Sequence, residues 1–170
     1  CFGVDRAVHI VNALLDEGKR VCTLGPIIHN PQTLRRFEER GVRIAESPSE
    51  VPEGATLVIR SHGIERDVFD EIGARGIEFC DATCPFVQKI HGIVARASRE
   101  GRTVLIAGDA SHPEVRGIVG HCAGKCFVFR DAEELRRILE TLPPGPETEP
   151  CVVAQTTFSV AEWEICSEIV

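Results

Sequence analysis

Short apolar runs alternate with longer amphipathic ones along the whole chain, and this alternation restricts the folds open to it. Residues 20–24, 42–45, 56–60, 77–80, 103–107, 126–129 and 151–154 read as strands, each a brief run of apolar and β-branched residues. Between them, 4–15, 31–40, 65–74, 85–100, 113–121 and 131–142 carry helical spacing; in the first, Val4, Ala7, Val8, Val11, Leu14 and Leu15 share one stripe. Gly18 and Gly41 act as stops. Asp131 is placed to cap its helix, and Ser159 opens the last helix with a capping box to Glu162. Segments 47–54 and 143–150 are Pro-rich connections. Short strands joined by helices pair in parallel, because a crossover helix returns the chain to the same end of the sheet. The expectation is an α/β fold of two similar-sized units with short, mainly parallel sheets flanked by helices. The division is placed at Cys84, giving 1–83 and 84–170, without a convincing sequence repeat between them.

Composition narrows the function. The chain has 170 residues, 43% of them hydrophobic, enough to build a core in one large domain or two small ones. A net charge of −7 without a basic cluster argues against nucleic acid or an anionic membrane surface as partner. No apolar run approaches a membrane span, and no signal peptide is visible. Eight Cys are too few for a disulfide scaffold, and Cys22, Cys80 and Cys151 sit in apolar strand runs. They read as buried thiols of a reducing, cytoplasmic protein. The chain begins at Cys1 and stops at Val170 inside a helical pattern, which reads as a piece of a longer protein.

The polar residues that stand out share one topological position, the junction of a strand end with a helix start. Ligands of open α/β sheets bind there, where helix N-termini point. Cys84 lies in Asp81-Ala82-Thr83-Cys84-Pro85. Pro85 suits the first helical position, so Cys84 falls at the N-cap, a setting that favours a thiolate ready to ligate iron or a soft metal. Cys1 precedes Phe2-Gly3, where Gly3 lets the backbone approach a bulky cofactor. His29, His62 and His112 each follow a strand and precede a helix; imidazoles and helix N-termini together bind phosphate without Lys or Arg. Glu114 follows His112 as a candidate proton donor, although a first-turn Glu is also favoured by the helix dipole. Gln155-Thr156-Thr157 offers an amide and two hydroxyls to the same crevice, or is a simple helix entry. Cys122 and Cys126 are spaced as one half of a zinc knuckle, but the second Cys/His pair such a site needs is missing, with only His121 near. His9, His91 and His121 lie in helical stretches and receive no role.

Cys1-Phe2-Gly3-Val4-Asp5-Arg6-Ala7, Ile28-His29-Asn30, Ser61-His62-Gly63, Asp81-Ala82-Thr83-Cys84-Pro85, His112-Pro113-Glu114 and Gln155-Thr156-Thr157 occur in this order. Together they resemble the LytB family, the 4-hydroxy-3-methylbut-2-enyl diphosphate reductases that act last in the methylerythritol phosphate route to isoprenoids. The resemblance covers essentially the whole chain. It implies part of a three-domain, trefoil-like α/β enzyme, with this chain matching the first two domains and the C-terminal third absent. It implies a [4Fe-4S] cluster held by one Cys per domain: Cys1, Cys84 and a third outside this chain, Cys166 lying too early to be it. The implied reaction is reductive dehydroxylation of an allylic diphosphate to isopentenyl and dimethylallyl diphosphate. By motif, Glu114 gives the proton, Thr156 hydrogen-bonds the leaving hydroxyl, and His29, His62 and His112 bind the diphosphate, with His112 also near the proton path. Ferredoxin or flavodoxin is the implied electron donor, since no dinucleotide-type Gly-rich loop follows any strand. Two other classes are a zinc- or thiol-redox protein using Cys80, Cys84, Cys122 and Cys126, and a non-catalytic phosphate-binding α/β module.

Overall fold

A computed structural model of the chain describes residues 2–143 and 149–170. The chain divides into two compact units, Cys1–Gln88 and Lys89–Val170. The sequence places this division at Cys84; in the structure it falls a few residues later.

The first unit opens with helix α1 (Phe2–Asp16) and alternates strands β1 (Val21–Leu24), β2 (Arg43–Ala45), β3 (Thr56–Ile59) and β4 (Phe79–Asp81) with helices α2 (Pro31–Glu39) and α3 (Arg66–Ala74). The four strands lie in the order β2-β1-β3-β4, all pairs parallel. Parallel strands covered on both faces read as continuous apolar runs, and β1 and β3 are buried along their full length. The side-chain alternation of a strand still sorts residues between two layers. Val21 and Val58 pack with Ala7, Val11 and Leu14 of α1 and Phe37 of α2. Cys22, Leu24, Leu57 and Ile59 pack on the other face with Ile72 of α3. Ile72 is fully buried, and truncating such a residue to Ala costs about 2–5 kcal/mol. β4 starts two residues later than its sequence predicts. It pairs with β3 only over Leu57↔Phe79 to Ile59↔Asp81, while Ile77 packs into the core ahead of the ladder.

Helix α4 (Pro85–Arg99) leads into the second unit: β5 (Val104–Ala107), α5 (Pro113–Gly120), β6 (Cys126–Phe129), α6 (Ala132–Thr141), β7 (Cys151–Ala154) and α7 (Val160–Ser167). Its three parallel strands lie in the order β6-β5-β7. Central β5 is wholly buried. Val104 and Ile106 pack with Val94 and Ala97 of α4 and with Val115 and Ile118 of α5. Leu105 and Ala107 face Phe129, Leu135 of α6 and Cys166 of α7. Asp131 caps α6 by accepting the Glu134 N–H at 2.8 Å, as expected from sequence. The capping box at Ser159 is only half made. Ser159 accepts the Glu162 N–H at 3.4 Å, but the Glu162 carboxylate turns away and accepts the Ala132 N–H at 2.9 Å. Glu162 thus ties the starts of α6 and α7 together. Most of the Pro-rich connection after α6, residues 144–148, lies outside the described residues.

Candidate active site

Sheet order decides which loops meet. In the first unit β1 and β3 are neighbours, so the loops leaving their carboxyl ends run side by side. His29 follows β1, His62 follows β3, and their rings lie 4.7 Å apart between centroids with a 41° tilt. Asn30 accepts the N–H groups of Gln32 and Thr33 at 3.0 and 3.1 Å, which fixes the start of α2 directly after His29. A shallow depression of about 520 Å³ opens there, lined by His29, Asn30, Pro31, Gln32 and Arg35. Arg35 was not singled out by sequence, because its place beside this N-terminus depends on one turn of helix.

β4 lies next to β3 and delivers Cys84 beside the same loops. The Cys84 N–H donates to Ser61 O at 2.9 Å, and the Ser61 hydroxyl donates to Ile27 O at 3.3 Å, so the loops after β1, β3 and β4 are stitched together. Gln88 N–H donates to Cys84 O at 2.9 Å, the first helical bond of α4, which makes Cys84 its N-cap as the Cys-Pro pair predicts. Asp81 braces the turn, accepting the Thr83 N–H and the Gln88 side-chain amide, both at 2.8 Å. Arg6 of α1 reaches across to the carbonyls of Asp81 and Thr83 at 3.1 and 3.2 Å. Cys1 lies outside the described residues. Two residues on, a Cβ built at Gly3 would stand 2.8 Å from Cys84 Sγ, so Gly3 is where α1 lets its first turn close on this thiol. Gly3 thus serves the approach of a protein sulfur.

In the second unit β5 and β7 are neighbours, and the same logic joins α5 to the loop after β7. His112 is the N-cap of α5: its Nδ1 accepts the Glu114 N–H at 3.1 Å, which leaves the ring proton on Nε2. Glu114 is 2% exposed. Its Oε1 accepts the Thr156 N–H at 2.7 Å and its Oε2 accepts the Thr156 hydroxyl at 2.8 Å, so the carboxyl is gripped by one exposed residue of the neighbouring loop. Gln155 does not offer its amide to the crevice. The side chain is buried, with Oε1 accepting the Asp109 N–H at 3.2 Å and Nε2 donating to Thr157 Oγ1 at 2.7 Å. It fixes the loop that presents Thr156. Gly108 makes this possible: a Cβ there would lie 2.8 Å from Val115 and 2.9 Å from Gln155 Oε1. Sequence reading missed Gly108, whose only signal was a Gly directly after a buried strand. Asp109 accepts the Ser111 N–H and hydroxyl at 2.9 and 2.8 Å, and these bonds hold its carboxyl below the usual range.

The remaining thiols divide by burial. Desolvation pushes the thiols of Cys22, Cys151 and Cys166 up, and all three belong to core clusters. Cys80 is half-buried against the first core. His121 caps α5 rather than lying within it; its Nδ1 sits 2.8 Å from Gly117 O, and its ring stacks on His91 at 4.0 Å.

Fold and strand-end groups define the class, a parallel α/β protein whose first unit carries a thiol and two imidazoles, and whose second unit carries an imidazole and a clamped carboxyl, at the carboxyl ends of their strands. The LytB protein family model matches residues 1–170. The chain belongs to the LytB family. A 4-hydroxy-3-methylbut-2-enyl diphosphate reductase of Geobacter sp. (strain M21) is 43% identical over 159 residues, covering 94% of this chain and 54% of the relative. One from Caldanaerobacter subterraneus is 40% identical over 173 residues, covering 99% of this chain and 58% of the relative. Among solved structures, an (E)-4-hydroxy-3-methyl-but-2-enyl diphosphate reductase, described as the terminal enzyme of the non-mevalonate pathway, matches with a TM-score of 0.81 at 39% identity, over 99% of this chain and 59% of that one. The corresponding Plasmodium falciparum enzyme shares the fold, with a TM-score of 0.88 at 24% identity, over 99% of this chain and 52% of that one. The chain spans a little over half the length of these relatives. No helix among the described residues is long and apolar enough to cross a membrane.

Proposed function

We propose that the protein to which these residues belong is a cytoplasmic 4-hydroxy-3-methylbut-2-enyl diphosphate reductase. It removes the substrate hydroxyl as water and yields isopentenyl and dimethylallyl diphosphate. Membership of the LytB family over residues 1–170 supports this reading. The observation that carries it is the Glu114–Thr156 pair, a 2%-exposed carboxyl whose Oε2 meets the hydroxyl of an exposed threonine at 2.8 Å. A carboxyl so enclosed exchanges its proton with a ligand through that hydroxyl. Once Glu114 has taken up a proton on Oε2 the contact reverses: Oε2 gives its hydrogen to Thr156 Oγ1 as Oγ1 gives its own to the departing hydroxyl, which leaves as water, and Glu114 returns to the carboxylate. His29, His62 and His112 hold the diphosphate, His112 donating from Nε2.

Cys1 and Cys84 are the ligands this chain would give a [4Fe-4S] cluster, with a third thiolate from outside these residues. The fit rests on the N-cap thiol of Cys84 packed against Gly3, two residues from Cys1. When bound, the cluster would relay the two electrons one at a time and supply a Lewis-acidic iron for the hydroxyl. Ferredoxin or flavodoxin delivers the electrons. The test uses the complete protein, reconstituted anaerobically. Cys84→Ser is expected to lose iron and the broad visible absorbance of the cluster, while Cys22→Ser keeps both. Full iron content in Cys84→Ser overturns the assignment.

A further inference from the structure

The second sheet carries thiols at the end opposite Glu114 and Thr156. Cys122 follows α5, Cys126 is the first residue of β6, and Ala123, Gly124 and Lys125 between them form an exposed turn. We propose that Cys122 and Cys126 are a thiol–disulfide exchange site, closing reversibly to an intramolecular disulfide by reaction with low-molecular-weight disulfides.

Geometry carries this assignment. Both thiols are half-buried and pack against the same apolar cluster. Cys122 Sγ is folded over the turn, 3.6 Å from Gly124 O and 3.9 Å from Lys125 O, the carbonyl that precedes Cys126. The turn itself is anchored, since Ala123 N–H donates to Ser98 Oγ at 3.1 Å. Cys151 is excluded as the partner of Cys126 by register. Val104 pairs with Cys126 on one side and Cys151 on the other. The two cysteines therefore stand two strand spacings apart, roughly 9–10 Å, beyond the ~7 Å limit for a disulfide.

The roles of the two sulfurs differ. Burial and the neighbouring Cys122 push the Cys126 thiol up to about 12, which suits Cys126 to the second, resolving step and leaves the first attack to Cys122 on the exposed turn. Cys122 thiolate attacks a small disulfide RSSR, forming Cys122–S–SR and releasing RS⁻. Cys126 then gives up its proton and attacks the Cys122 sulfur. The Cys122–Cys126 bond forms, the S–SR bond breaks and a second RS⁻ leaves. Two thiols are oxidised by two electrons, and one RSSR is reduced to two RSH.

Trypsin cleaves after Arg116, Lys125 and Arg130, which places Cys122 and Cys126 in separate peptides that a disulfide alone would join. The reduced 170-residue chain is treated with oxidised glutathione, alkylated without reduction, digested and analysed by mass spectrometry. The expected product is the linked pair 117–125/126–130, minus two hydrogens and absent after dithiothreitol. Cys126→Ser is expected to accumulate the glutathione adduct on Cys122, and Cys122→Ser to leave Cys126 largely unmodified. Alkylated Cys126 beside glutathionylated Cys122 in the wild-type chain, or a dominant link to Cys151, overturns the proposal. So does an unmodified Cys122 in Cys126→Ser.

Discussion

Glu114→Gln separates the proton-transfer role of this side chain from its part in holding two loops together. The amide is close to the carboxyl in shape. Its oxygen must face the Thr156 N–H, which can only donate and lies 2.7 Å from Oε1. That leaves the amide NH₂ facing Thr156 Oγ1, 2.8 Å from Oε2 in the wild type. The hydroxyl can rotate from donor to acceptor, so both contacts survive. Two charge-assisted bonds become neutral ones, a loss of about 1 kcal/mol each. The desolvation cost of a carboxylate at 2% exposure is relieved at the same time, offsetting much of that loss. The net change is expected within about 1 kcal/mol, roughly 4–8 °C in Tm for a unit of this size. Thr156→Val makes the opposite change: it keeps the carboxylate and removes one of its donors, which costs about 1–3 kcal/mol. Denaturant midpoints of the 170-residue chain should therefore rank wild type close to Glu114→Gln and both above Thr156→Val. In the complete enzyme Glu114→Gln should keep its iron and lose roughly 10²–10⁴ in turnover, the range for a missing general acid. If Glu114→Gln is as unstable as Thr156→Val, the donor-acceptor exchange described here is wrong. Near wild-type turnover would instead remove Glu114 from the proton path.

Other changes test the supports around these groups. Gly108→Ala drives a methyl to 2.8 Å from Val115 and 2.9 Å from Gln155 Oε1, so a loss of about 1–3 kcal/mol is expected in chemical denaturation, as for other overpacked positions. An unchanged midpoint would mean the loop after β7 gives way freely. Gly3→Ala places its Cβ 2.8 Å from Cys84 Sγ, and should lower iron incorporation in the complete protein while leaving the fold content seen by circular dichroism unchanged. Equal iron in variant and wild type would show that α1 adjusts. Cys126 titrates at about 12 in the folded chain against a usual value of 9.0. A thiol with a raised folded value stabilises fully below its unfolded value and loses that contribution as pH rises toward the folded one. With reductant present, the stability gap between wild type and Cys126→Ala should narrow from about pH 9 to about pH 12; a constant gap would contradict the burial argument.

Much of the architecture was legible because it is written locally. β-branched runs, helical stripes, Pro at helix starts and the Asp131 cap are contacts within a few residues, and the elements appear at nearly the expected places. The strand-to-helix positions of His29, His62, Cys84, His112 and Glu114 were legible for the same reason, since a residue's place in its own βα turn depends on near neighbours alone. What the sequence left open was long-range. Glu162 looks like the partner of Ser159, yet it binds Ala132 in another helix. Gln155 looks like a ligand donor, yet Asp109 and Thr157 hold its amide inside the loop. Gly108 and Arg6 carry no mark of the contacts they make with residues 47 and 75 or more positions away. The strand orders β2-β1-β3-β4 and β6-β5-β7 decide which loops are neighbours, and so bring His29 to His62 and Thr156 to Glu114. Such pairings are set by packing of the whole sheet. The hydrophobic pattern of a strand fixes which of its faces are buried but not which strand lies beside it.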